Sequence, residues 1–254
     1  MSRFARAVVC AAIAWAPTLG HAREAGKAWC APESETLAEG MCYFASESGQ
    51  ADAGAPSTLV IFLHSLVAVE SDWQWEQQRL MIRTARASNF ALLMPRGLAG
   101  IGPGRAPNVL AWPGSPAMQV AHESDVLATW DRARGEVERR RKARFERVFV
   151  FGFSNGAYYT TSLAVREAYP ADGYGIFAGG SGSAYNRLLA NRAEKRSPIF
   201  VGYGTKDPAR EHMNSLVRML GDLHWRYAVK RAPIGHWVSD AQLQSAIRFL
   251  NSFG

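Results

Sequence analysis

Short, wholly apolar runs alternate with longer segments of helical spacing along most of this chain. The run Leu59-Val60-Ile61-Phe62-Leu63, within Ser57 to His64, is continuous rather than alternating and predicts a strand covered on both faces. Trp75 to Ala87 has helical spacing, and Phe90-Ala91-Leu92-Leu93-Met94 reads as a second strand ended by Pro95. Gly97 to Pro116 is rich in Gly and Pro and predicts little regular structure. A long helix is expected from about His122 to Arg141, with Val126, Leu127, Trp130 and Val137 facing inward. Val148 to Gly152 predicts a third strand, and Asn155 to Ala168 a helix closed by Pro170. The pattern then repeats: strands at Gly175 to Ala178, Ile199 to Tyr203 and Trp225 to Lys230, and helices at Glu211 to Leu220 and Asp240 to Phe249. Alternation of this kind predicts one α/β domain, a mainly parallel central sheet with helices on both faces.

The beginning of the chain is of another kind. Arg3 and Arg6 precede the apolar stretch Ala7 to Ala16, and Gly20-His21-Ala22 places small residues where a signal peptidase cuts. We expect residues 1–22 to be a secretory signal and residues 23–254 the folded domain, exported to the periplasm or secreted. Once the signal is removed, no membrane association is expected. Cys10 would leave with the signal. Cys30 and Cys42 then remain, bracketing a short loop, and in an oxidising compartment they are expected to form a disulfide. Two thiols without a nearby histidine do not make a metal site.

Composition narrows the class further. Of 254 residues, 48% are hydrophobic and 20% charged, enough for a sizeable core and unlike a disordered chain. The formal charge of +7 owes much to Arg132, Arg134, Arg139, Arg140, Arg141, Lys142, Arg144 and Arg147. Glu136, Glu138 and Glu146 interrupt that cluster, and basic residues gather naturally at a helix C-terminus. It reads as a solvated helix end, and neither a nucleic-acid partner nor an oligomer is expected.

The chemistry concentrates in Gly152-Phe153-Ser154-Asn155-Gly156, a G-x-S-x-G segment between a predicted strand and a predicted helix. So tight a turn needs small residues two before and two after the serine, and it leaves the serine oxygen exposed at the sheet edge. The following helix points its amides and positive end at the same place.

In this context the chain resembles the α/β-hydrolase superfamily, in element order over nearly the whole mature length. Asp125-Val126 on the preceding helix and the run Arg147 to Ala157 look like the secreted polyhydroxybutyrate depolymerase and feruloyl esterase group. The resemblance implies a serine nucleophile, Ser154, followed in the chain by an acid and a histidine. His236, after the last predicted strand, is the expected base; His212, His224 and His122 fall on or beside helices. Asp207, in a turn-rich loop after Ile199 to Tyr203, is the expected acid, whereas Asp222 would sit at the other end of a strand. Two backbone amides are expected to bind the developing oxyanion, that of Asn155 and that of Leu66 in the loop His64-Ser65-Leu66. Family members usually carry glycine at position 65, and His64 is expected to be structural. Trp112 and Trp237 are candidate substrate-binding residues, with Trp73 and Trp75 nearby, and Tyr158 and Tyr159 read as core. The chemistry this implies is carboxylic ester hydrolysis on a small or polymeric substrate, with no cofactor or metal. Thioester, lactone or peptide cleavage, or a non-catalytic binding role, are the alternatives on the same scaffold.

Overall fold

A computed structural model of the protein describes residues 28–45, 56–69 and 71–253. The proposed signal segment lies outside the described residues. Among the described residues eleven strands and six α-helices follow in chain order: β1 (Glu35–Thr36), β2 (Cys42–Phe44), β3 (Thr58–Leu63), β4 (Val67–Ala68), α1 (Trp73–Ser88), β5 (Ala91–Met94), β6 (Leu98–Ala99), β7 (Val109–Ala111), α2 (Pro116–Arg141), β8 (Arg147–Phe153), α3 (Asn155–Arg166), β9 (Gly173–Phe177), α4 (Ala184–Ala190), β10 (Ile199–Gly204), α5 (Arg210–Asp222), β11 (Tyr227–Ala232) and α6 (Asp240–Asn251). Eight strands form one sheet in the order β1-β2-β5-β3-β8-β9-β10-β11, and β4, β7 and β6 form a small antiparallel sheet above it.

From β5 to β11 every pairing in the large sheet is parallel, and only the β1–β2 and β2–β5 edge runs antiparallel. The parallel strands are buried on both faces, which is why they read as unbroken apolar runs. In β3, Leu59, Ile61 and Leu63 enter the core under α2, α3 and α5, with Trp130, Leu163 and Leu216. Val60 and Phe62 enter the opposite core with Met81 and Ile82 of α1 and Leu243 and Leu250 of α6. The chain leaves β3 toward β5 on one side, then crosses back to β8 and continues to β9 on the other. The C-terminal ends of β3 and β8 therefore flank a switch point, where connecting loops diverge and open a crevice.

The observed elements differ from the sequence pattern in several places, the short strands β4, β6 and β7 among them. α2 begins at Pro116, not near His122, because Ser115 caps it (its hydroxyl accepts from the Met118 amide) and proline suits the first turn. α4, capped by Ser183, has no counterpart in the pattern. The polar N-terminal stretch contains the two-stranded edge β1–β2, too short for periodicity to show.

Cys30 and Cys42 are disulfide-bonded across a sequence separation of 12. Gln78 on α1 holds the same segment, accepting from the Ala31 amide at 2.6 Å and donating to the Trp29 carbonyl at 3.1 Å. Within the basic cluster Arg132 pairs with Glu39, and Arg140 with Glu35 and Glu136, at exposed positions that contribute little to stability. Among the described residues no helix is long and apolar enough to cross a membrane.

Closing so short a loop restricts the unfolded chain, so the double variant Cys30→Ser/Cys42→Ser should lose about 3 kcal/mol. The loss should appear as a lower urea midpoint. An unchanged midpoint would mean that the Gln78 contacts alone fix the segment.

Candidate active site

Ser154 joins β8 to α3 with φ 54° and ψ −114°, a conformation that non-glycine residues avoid. It is held there from both sides. Its amide donates to the Phe177 carbonyl at 2.9 Å, and its carbonyl accepts from Ala157 and Tyr158 as α3 begins. A methyl group on Gly152 would collide with the Gly156 carbonyl and the Thr160 hydroxyl, and one on Gly156 with the Leu63 carbonyl. The two glycines flanking the serine are thus required by close approach, and the turn is pressed directly against the end of β3.

His236 Nε2 lies 2.8 Å from Ser154 Oγ, and His236 Nδ1 lies 2.9 Å from Asp207 Oδ2. With Nδ1–H donating to the carboxylate, Nε2 is free to accept the serine proton. Asp207 is fully buried, and its other oxygen accepts from the Ala209 amide at 2.8 Å. The loops after β10 and β11 are zipped together, Thr205 N to Ala232 O at 2.8 Å and Lys206 N to Ile234 O at 3.0 Å. That is how two loops of different strands bring an acid and a histidine to one serine. Asp222 is elsewhere, paired with Arg187 at 2.7 Å.

The loop after β3 supplies the other side. Ser65 is held by Gln77 of α1: its amide donates to Gln77 Oε1 at 2.9 Å, and its hydroxyl accepts from Gln77 Nε2 at 3.0 Å. The same hydroxyl accepts from Trp73 Nε1 at 2.9 Å and donates to the Leu66 carbonyl at 3.1 Å. Ser65 thereby fixes the backbone on which the Leu66 amide sits. Among the described residues neither the Leu66 nor the Asn155 amide donates to another part of the chain, and Asn155, first in α3, has no helical acceptor. Asn155 Oδ1 accepts from the Trp112 amide at 2.9 Å, which ties the two loops together.

His64 is buried beneath this loop. Its Nδ1–H donates to the Ser65 carbonyl and its Nε2 accepts from the Gly97 amide at 2.9 Å, so both ring nitrogens are used by a neutral imidazole. Burial pushes it down to about 4 from the usual 6.5, with Arg96 adding to the effect.

The aromatic candidates divide. Trp237 is half-buried, with its ring 5.2 Å from Trp73 and 5.4 Å from Phe153. Trp112 is only 1% exposed, and its ring packs against His64, Trp130 and Tyr159 while its indole N–H donates to the His64 carbonyl. It supports the site from below and is also among the residues lining the groove beside Asn155. Tyr159 is core, but Tyr158 is not: it faces a groove of about 480 Å³ beside Asn155, and its hydroxyl pairs with His212 Nδ1 at 2.6 Å. Burial, together with the charge of Asp207, holds the Tyr158 hydroxyl above its ordinary range. Gln77 and Tyr158 carry no signature in the sequence, since each is one polar or aromatic residue on a helix.

Neither a family model nor a curated protein sequence matches the chain. Solved structures do, and the chain has the α/β-hydrolase fold. It is similar to esterase PE8 (TM-score 0.57, 16% identity, covering 84% of this chain and 97% of that one). It is similar also to SOBER1 of Arabidopsis thaliana (TM-score 0.55, 20% identity, 77% and 98%). A carboxylesterase of Bacillus cereus matches with TM-score 0.55 and 14% identity, over 84% and 93% of the two chains.

The His64 arrangement sets a pH dependence. Between pH 6.5 and 4 the unfolded chain binds a proton at His64 that the folded chain does not, so stability falls as pH drops through that window. The loss is on the order of 3 kcal/mol and levels off below the lower value. An NMR titration should find the His64 ring neutral at pH 5.5; an ordinary titration midpoint would refute the buried neutral tautomer.

Proposed function

We propose that this protein is an exported serine hydrolase that cleaves carboxylic esters through an acyl-enzyme on Ser154, using Asp207 and His236. The observation that carries the reading is the continuous line of hydrogen bonds from Ser154 Oγ through His236 to buried Asp207. In acylation His236 Nε2 takes the hydroxyl proton while Oγ bonds to the carbonyl carbon, and the carbonyl oxygen becomes an oxyanion between the Leu66 and Asn155 amides. The C–O bond to the alcohol then breaks, and the proton passes from Nε2 to the departing oxygen. Water repeats the sequence: His236 takes its proton, its oxygen bonds to the acyl carbon, and the ester bond to Ser154 breaks with the proton returned to Oγ. Asp207 keeps the ring in the required tautomer and stabilises the imidazolium.

Esterases among the structures with a similar fold support esters over amides as the substrate. The signal-like residues 1–22 and the Cys30–Cys42 disulfide support export. The finer likeness to secreted polyhydroxybutyrate depolymerases and feruloyl esterases rests on the residues around Ser154, and a small or a polymeric ester is compatible with it. We read the protein as a monomer that binds neither nucleic acid nor, after cleavage of the signal, membrane.

The mature protein should hydrolyse p-nitrophenyl acetate, butyrate and octanoate, and Ser154→Ala should lower kcat by about a thousandfold or more. Equal activity in the two would refute the assignment of Ser154. Gln77→Ala should lower kcat about 10- to 100-fold with KM little changed, because the Leu66 amide is released from its clamp. A rise in KM at constant kcat would instead place Gln77 in ground-state binding.

A further inference from the structure

Two surfaces lie near Ser154: one includes its chain neighbour Asn155, the other Trp237, the chain neighbour of His236. One is the groove beside α3, lined by Ile101, Pro103, Arg105, Met118, Asn155 and Tyr158. Because Tyr158 commits its hydroxyl to His212, it offers this groove mainly its ring. The other is a shelf made by Trp73 and Trp237. Their rings lie 5.2 Å apart, Trp237 rests edge-on against Phe153, and Trp73 is 41% exposed despite its size. Leu66, itself 39% exposed, packs beside Gly102, one of the groove-lining residues. Large apolar side chains left open to solvent side by side are a feature of binding surfaces.

The geometry points to a division of the substrate between these surfaces: the alcohol portion of the ester on the Trp73–Trp237 shelf, and the acyl portion in the Met118–Tyr158 groove. This assignment rests on the ester-hydrolase reading above. A carbonyl carbon attacked by Ser154 carries three other groups, and the site constrains each. Its oxygen must reach the Leu66 and Asn155 amides. Its leaving oxygen must come within hydrogen-bond reach of His236 Nε2, the group that returns the proton. Trp237 follows His236 in the chain, and Trp73 packs on Trp237, so the carbon skeleton behind the leaving oxygen meets the shelf. The remaining substituent is directed past Asn155 into the groove.

The two surfaces select different chemistry. The shelf presents two indole faces and is open to solvent, which suits a flat aromatic or arylalkyl alcohol of no fixed length. The groove, of about 480 Å³, sets Ile101, Pro103 and Met118 beside the Tyr158 and Trp112 rings and Arg105, and its limited volume suits a compact acyl group. Esters of an aromatic alcohol with a short aliphatic acid are the substrate class that uses both.

The test compares three esters, 2-naphthyl acetate, ethyl acetate and ethyl octanoate, with wild type, Trp237→Ala and Met118→Trp. Dividing each variant's kcat/KM by that of wild type on the same ester removes intrinsic reactivity. Trp237→Ala should lower this ratio about tenfold further for 2-naphthyl acetate than for ethyl acetate. Met118→Trp, which fills a half-buried groove position without touching the core, should lower it further for ethyl octanoate than for ethyl acetate. If Trp237→Ala discriminates by acyl length, if Met118→Trp discriminates by alcohol, or if neither changes discrimination, the assignment is overturned and the esterase reading stands. Failure of wild type to hydrolyse any of the three would overturn the esterase reading and this assignment with it.

Discussion

The site depends on how closely the β8–α3 turn is pressed against the end of β3. Gly156 leaves no space for a methyl group between itself and the Leu63 carbonyl, and Gly152 none before Thr160 and Gly156. That contact makes two strands of the parallel sheet into one rigid edge. On that edge Ser154 keeps a backbone conformation that costs about 1–3 kcal/mol in isolation. It also brings the Asn155 amide and the loop His64-Ser65-Leu66 to the same point. A sheet whose connections diverge between β3 and β8 leaves an opening there, so reactive groups and space for a substrate arise from one topological fact.

The acid and histidine are fixed by a second, independent contact. Gly204 approaches the Ile234 and Gly235 carbonyls so closely that no side chain fits, which lets the loops after β10 and β11 run together. Asp207 is carried into full burial by that contact, and a buried carboxylate is tolerable only with its oxygens engaged. Both are, one by His236 and one by the Ala209 amide. His236 remains open to solvent, as the proton exchange proposed for it would require.

Much of this was legible in the sequence, for definable reasons. β3, β5, β8 and β10 stood out because strands buried on both faces must be apolar throughout, as Leu59 to Leu63 is. The serine turn was legible because its close contacts demand glycine at 152 and 156. Asp207 and His236 were legible by chain order and their places after strands. The edge pair β1–β2 and helix α4 were not, since two or three residues show no period and a seven-residue helix little more. The start of α2 was hidden because proline signals both a loop and a first helical turn, and only the Ser115 cap separates the two. Tyr158 and Tyr159 are adjacent residues of one type on one helix. Which of them faces the core follows from the rotation of α3 against the sheet, which the pattern does not specify.

Ser65 shows how a hydroxyl can be accommodated in a tight loop. A glycine there would move more freely; the serine brings a hydroxyl that must be satisfied, and it receives two donors and gives one. The result is a loop held by α1 rather than by its own flexibility, since Gln77 grips both the amide and the side chain of the same residue. Trp73 belongs to both systems, donating its indole N–H to Ser65 while its face forms half of the shelf. Beneath them His64, neutral and fully hydrogen-bonded, adds no positive charge to the place where an oxyanion would form. In the proposed reaction, stabilisation of that charge would be left to oriented amides and the positive end of α3, which are in place before any substrate arrives. Such preorganisation requires a stiff loop, and the Ser65–Gln77 clamp provides the stiffness that glycine would not.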